Sequence, residues 1–126
     1  MSNTNYLTGK HGEEIAALYL RRLGYRILAK NFKTRLGEID IIAEDAGIIC
    51  FVEVKMRRSD SHVHPKEAVG KEKQRRITSA ALIFLKEHRV PQGRIRFDIV
   101  SVIRGGNQAV AELVKGAFEA QGCFSF

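Results

Sequence analysis

The segment Gly37–Lys55, GEIDIIAEDAGIICFVEVK, constrains the fold more than any other part of the chain. Ile39–Ala43 and Ile48–Val54 are short apolar runs rich in β-branched residues, and Glu44-Asp45-Ala46-Gly47 between them is turn chemistry. Two strands joined by a tight turn make a hairpin. Pairing Glu44 with Gly47 sets Asp40 opposite Phe51. Side chains alternate between faces along a strand, so Asp40 shares a face with Glu38, Phe51, Glu53 and Lys55. The other face carries Ile39, Ile41, Ala43, Cys50, Val52 and Val54; it is apolar throughout and is expected to meet the core. A one-residue slip would separate Asp40 from Glu53.

Two carboxylates on one face repel, and one tends to keep its proton. A divalent cation removes that conflict. Mg²⁺ takes hard oxygen ligands while retaining several waters, and a metal-acidified water can attack phosphorus. A lysine beside such a site orients that water or stabilises charge building on the phosphate. Asp40, Glu53 and Lys55 therefore suit metal-dependent phosphodiester hydrolysis. A solvated sheet face carrying Glu53 and Lys55 is the competing reading of the same residues.

Charge points the same way. The chain of 126 residues carries a net charge of +7. From Lys55 to Arg76 there are eight basic residues (Lys55, Arg57, Arg58, Lys66, Lys71, Lys73, Arg75, Arg76) against three acids (Asp60, Glu67, Glu72). Positive charge gathered directly after the acidic pair is the footprint of a polyanion ligand. Ordinary solvated helix charge is the alternative.

The remaining chain reads as one domain over residues 1–126, without repeat or linker. A first helix is expected over Thr8–Leu23, capped by Thr8 and ended by Gly24, with Ile15, Ala16, Tyr19, Leu20 and Leu23 on one apolar arc. Gly12 in that arc permits close packing. Glu13 lies at its edge, looking over the sheet, although a helix-dipole role explains it equally well. Tyr25–Phe32 reads as a strand, and Met56–His64 as polar loop. Pro65 can open a short turn. A helix over about Lys71–His88 turns Ile77, Ala80, Ala81, Phe84, Leu85 and Gln74 toward the sheet and leaves Lys71 and Arg75 outward. Gln74 there needs a polar partner, such as site water or phosphate. Gly93–Ile103, entered through Pro91-Gln92-Gly93, reads as the last core strand. A helical crossover makes it parallel to its neighbour, so the sheet is mixed. Asp98 is expected to be structural, paired with a nearby base. Ala109–Phe118 forms a final short element.

Several features exclude other functions. No apolar run approaches the ~20 residues of a membrane span, and MSNTNYLTGK lacks a signal-peptide layout, so the cytoplasm is expected. Cys50 falls on the core face as a buried thiol, and Cys123 is assigned nothing. His62-x-His64 lacks companion ligands and reads as solvated loop.

The motifs together resemble the YraN-like family of the PD-(D/E)xK, or restriction-endonuclease-like, superfamily. The matching segments are Gly9-x-x-Gly12-Glu13-x-x-Ala16-Ala17, Gly37-Glu38-Ile39-Asp40 and Phe51-Val52-Glu53-Val54-Lys55, then Lys73-Gln74-Arg75-Arg76, Arg96-Phe97-Asp98 and Gly116-Ala117-Phe118. Ile39 stands where the superfamily pattern opens with proline. The resemblance implies an α/β fold with an αβββαβ core and a mixed four-stranded sheet. It implies a catalytic set of Asp40, Glu53 and Lys55 with Gln74, and Mg²⁺ or Mn²⁺ held by Asp40, Glu53, the Val54 carbonyl and Glu13. Arg57, Arg58, Lys71, Lys73 and Arg75 are expected to meet a phosphate backbone. The expected function is hydrolysis of DNA, branched or single-stranded, by analogy with archaeal Holliday-junction resolvases, which also suggests a homodimer. The rivals are a non-catalytic nucleic-acid-binding protein on the same fold and a protein-interaction module with a basic face.

Overall fold

A computed structural model describes residues 4–59, 64, 68–90 and 93–122, with side chains from His11 onward. Along the chain run α1 (Thr4–Arg22), β1 (Arg26–Thr34), β2 (Gly37–Asp45), β3 (Ile48–Arg58), α2 (Lys71–Glu87), β4 (Ile95–Gly105) and β5 (Gln108–Phe118). The first six are the αβββαβ core of the restriction-endonuclease-like fold. The sheet is mixed, in the order β1-β2-β3-β4-β5, with only β3 and β4 parallel. It has five strands rather than four. Gly105-Gly106-Asn107 turns the chain back, and β5 pairs with β4 along almost its whole length.

Two apolar layers sandwich the sheet. One joins Ala16, Ala17 and Leu20 of α1 to Ile41, Ala43, Cys50, Val52, Val100 and Val102. The other joins Ile77, Ala80, Ala81, Phe84 and Leu85 of α2 to Ile39, Ile42, Phe51, Phe97 and Ile99. The α2 arc is the expected one. The face holding Phe51 and Glu53 is thus covered by a helix, not left to solvent, because a strand in mid-sheet between two helical layers is buried on both sides.

Helix α1 starts earlier than Thr8, which lies inside it. It ends as a Schellman motif: Gly24 at φ +96° donates to Arg21 O, and Tyr25 N–H donates to Leu20 O. This turns Leu23 off the apolar arc and into solvent, while Ala17 takes a core place. Gly12 does pack closely: a Cβ there would collide with the Met56 thioether. Met56–Arg58, expected as loop, continue β3 because β4 offers them parallel partners, Val102 to Arg104. Asp60, His62, Pro65, Lys66, Glu67, Pro91, Gln92 and Cys123 lie outside the described residues.

The hairpin turn sits one residue further along the chain than expected. Asp45 pairs with Ile48, so the loop is the two residues Ala46 and Gly47, both at positive φ. That is the backbone of the favoured hairpin turn. Relative to the expected register the pairing moves by two residues, which preserves face parity and brings Asp40 level with Glu53 rather than Phe51.

Candidate functional site

The site arises where β2 leaves β3. Their ladder ends at Ile41–Val52. Continued, it would set Val54 opposite Ile39; instead the Val54 amide donates to Asp40 Oδ2 at 2.8 Å. On the other side, Asn31 faces Asp40 across β1–β2 and adopts φ +54°. Asparagine tolerates this left-handed conformation better than most residues. Both strands break their alternation at this row. Ala29 and Phe32, and likewise Ile42 and Ile39, end up in the same α2-side core. Ile39 therefore leaves the face assigned to it by strict period-two reading. Asp40 sits at the fork, where Glu53 on the α2 side and Glu13 on the α1 side both feel its charge.

Glu53 is 3% exposed. Burial, then the Asp40 carboxylate, push its carboxyl up to about 7, against an opposing pull from Lys73. Lys73 Nζ lies 2.7 Å from Glu53 Oε2, and Lys55 Nζ lies 3.7 Å from the same oxygen. Burial depresses the Lys73 ammonium, but its bond to Glu53 and the charges of Glu53, Asp40 and Glu38 outweigh that and hold it above the usual lysine range. Glu13, half-buried, is raised by burial and by Asp40, while a hydrogen bond from Asn31 opposes the rise.

Asp40, Glu53 and Lys55 thus come together. Lys73, expected on a phosphate backbone, instead points into the site. The pattern hid this: on a helix of alternating bases, nothing in the sequence distinguishes the one that meets a buried acid. Gln74 is buried as expected, but its Nε2 donates to Val69 O at 2.8 Å, anchoring the segment that enters α2. Among the described residues no three acidic, histidine or cysteine side chains converge as a ready-made metal cage, so Glu13 does not complete one with Asp40 and Glu53. Of the expected phosphate ligands, Arg75 is held by Glu72 at 2.8 Å and Arg57 lies 3.6 Å from Glu112, while Lys71 and Arg58 are exposed. Ser101 pairs with Lys55 across β3–β4 and is fully buried, with no hydrogen-bond partner for its hydroxyl among the described residues.

A groove opens beside the pair. It measures about 520 Å³ and is lined by the β1–β2 turn (Thr34, Arg35, Leu36, Gly37, Glu38) and by Lys73, Arg76 and Ile77 of α2. Thr34 Oγ1 accepts from the Leu36 and Gly37 amides and donates to Gly37 O, closing the turn.

Residues 12–102 match the model of "Uncharacterised protein family UPF0102". The chain belongs to the UPF0102 family, also called the YraN family. A UPF0102 protein of Syntrophus aciditrophicus is 50% identical over 115 residues, 91% of each chain. Those of Syntrophotalea carbinolica and Nocardia farcinica are 48% identical over 114 residues and 46% identical over 111, covering 90% and 87% of this chain and 93% and 87% of theirs. The UPF0102 match spans α1 from Gly12, the fork at Asp40 and Glu53, and α2. Among the described residues no helix is long and apolar enough to cross a membrane.

Proposed function

We propose that the chain is a divalent-metal-dependent nuclease acting on DNA, with Asp40 and Glu53 as the metal-holding pair. The observation that carries this is a buried glutamate beside a second carboxylate at a fork in the sheet, its proton affinity raised by burial and then by that neighbour. Hard oxygen donors in that state fit Mg²⁺ or Mn²⁺, which would relieve the repulsion. With two side-chain carboxylates and the Val54 carbonyl as donors, the cation would keep several waters.

Such an ion supplies an acidified water and a Lewis acid for the phosphate. The protein does the rest. The Val54 amide fixes the Asp40 carboxylate through Oδ2. Lys55, whose ammonium is within 4 Å of Glu53, orients the attacking water. Lys73 balances Glu53 and can stabilise the charge that builds on the phosphate. Lys71, Arg58 and Arg75 hold the strand by its backbone, an interaction that weakens as salt rises.

The test is cleavage of labelled duplex, single-stranded, flap and four-way-junction DNA with Mg²⁺ or Mn²⁺, beside Asp40→Asn. Cleavage that disappears in Asp40→Asn while binding persists supports the reading. The Lys73–Glu53 ion pair favours one alternative, a DNA-binding protein on this fold that satisfies its buried acid without a cation. Binding without cleavage under any metal would support that alternative.

A further inference from the structure

The groove between the β1–β2 turn and α2 is built, not incidental. Gly37 touches α2 so closely that a Cβ would collide with the Arg76 carbonyl, so turn and helix are locked together. The groove's walls are chemically divided. Arg35 and Arg76 supply guanidinium groups, and Lys73 lies between them and Glu53. Arg76 is only 3.4 Å from Glu72 in an exposed pair, an interaction worth little. Arg35 has no hydrogen bond or ion pair with any described residue. Leu36, half-exposed at the turn tip, forms an apolar side, with the buried Ile77 beneath the groove.

We infer that this groove takes one unpaired nucleotide of a DNA strand, its flanking phosphates on Arg35 and Arg76 and its base against Leu36. Guanidinium forks match phosphate oxygens, and apolar side chains cover bases lifted from the stack. The inference rests on reading Asp40 and Glu53 as a phosphodiester site, and it names the substrate class: strands that are single or frayed beside the scissile bond.

The experiment measures fluorescence anisotropy of a short labelled single strand and of its duplex in EDTA, across a salt series. It uses wild type, Arg35→Ala/Arg76→Ala, and the charge-keeping Arg35→Lys/Arg76→Lys, with circular dichroism to establish folding. The alanine pair should bind the single strand about tenfold more weakly, with the salt slope reduced by about 0.7 for each phosphate that is no longer neutralised. The duplex should be affected much less, and the lysine pair should restore most of the affinity. Unchanged single-strand binding, or equal losses on both forms, would overturn the assignment. Because no metal is present, the result stands apart from catalysis. Weakened binding with no cleavage anywhere would keep the groove and remove the nuclease; cleavage with unaffected binding would do the reverse.

Discussion

The Lys73 ammonium is the group that opposes the rise in Glu53's proton affinity. It reaches the carboxylate at 2.7 Å from the first turn of α2 while keeping about half its surface in water. Replacing it, Lys73→Met, removes the strongest opposition to burial and to Asp40. The Glu53 carboxyl should then titrate above about 7, as followed by carbon-detected NMR; a fall toward the ordinary 4.5 would show that Lys73 is not its counter-ion. Glu53 also imposes a pH dependence on folding. Its folded value is raised, so between about pH 4.5 and 7 the native state holds a proton that the unfolded state has released. Stability should therefore fall as pH rises through that window, by about 1.4 kcal/mol per unit for one proton. Urea denaturation from pH 5 to 8 checks this, and Glu53→Gln should flatten the fall.

At the scale of elements, the close approach of the β1–β2 turn to α2 shapes both the fork and the groove. Gly37→Ala should force the turn off the helix and cost about 1–3 kcal/mol, as overpacked interfaces do. Gly70→Ala is the matching control. Gly70, the N-cap of α2 at φ −73°, has open space where a Cβ would go, so alanine there meets no clash and should cost no more than about 1 kcal/mol, the capping preference for glycine over alanine. Equal denaturation midpoints for the two variants would show that the turn–helix packing is soft. The hairpin was readable from its apolar runs and from Ala46-Gly47. Its register was displaced by two residues, because both loop residues take positive φ and Ala46-Gly47 puts a glycine at one of them, where the expected Asp45-Ala46 loop would put none. The extension of β3 past Lys55 and the strand nature of β5 were not readable. Polar residues such as Arg57 and Arg58 become strand only when a parallel neighbour supplies hydrogen-bond partners.

Across the whole molecule, Arg96 ties together segments distant in sequence. Its Nε donates to Asp98 Oδ1 at 2.8 Å, and its Nη2 lies within hydrogen-bond reach of Asp98 Oδ2, Tyr25 Oη, Asp45 Oδ2 and Cys50 Sγ. Asp98, fully buried, also accepts the Gly116 amide at 2.9 Å, where β5 bulges. One guanidinium–carboxylate pair thus joins the end of α1, the β2–β3 hairpin and both C-terminal strands. Burial, then Asp98, push the Cys50 thiol up to about 12, so it remains an inert buried thiol. Arg96→Met would strand the Asp98 carboxylate and should destabilise the protein by about 3 kcal/mol, the cost of breaking a buried pair. A thermal or urea midpoint close to wild type would refute that role. The expectation that Asp98 pairs with a nearby base is met, and the base is its neighbour but one on the same strand.

What the sequence determined by itself was the class of fold and the nearness of Asp40 to Glu53. Period-two and 3.6-residue apolar patterns are local properties, so they specify strands, helices and the parity that keeps Asp40 with Glu53 through a two-residue shift. Only the tertiary structure decided the rest. The kink at Asn31 and Asp40 moves Ile39 to the other core, the Val54 amide claims one oxygen of Asp40, Gln74 spends its amide on Val69, and Lys73 turns inward. Each of these is settled by which buried polar group lacks a partner once the layers are packed, and that depends on neighbours far apart along the chain.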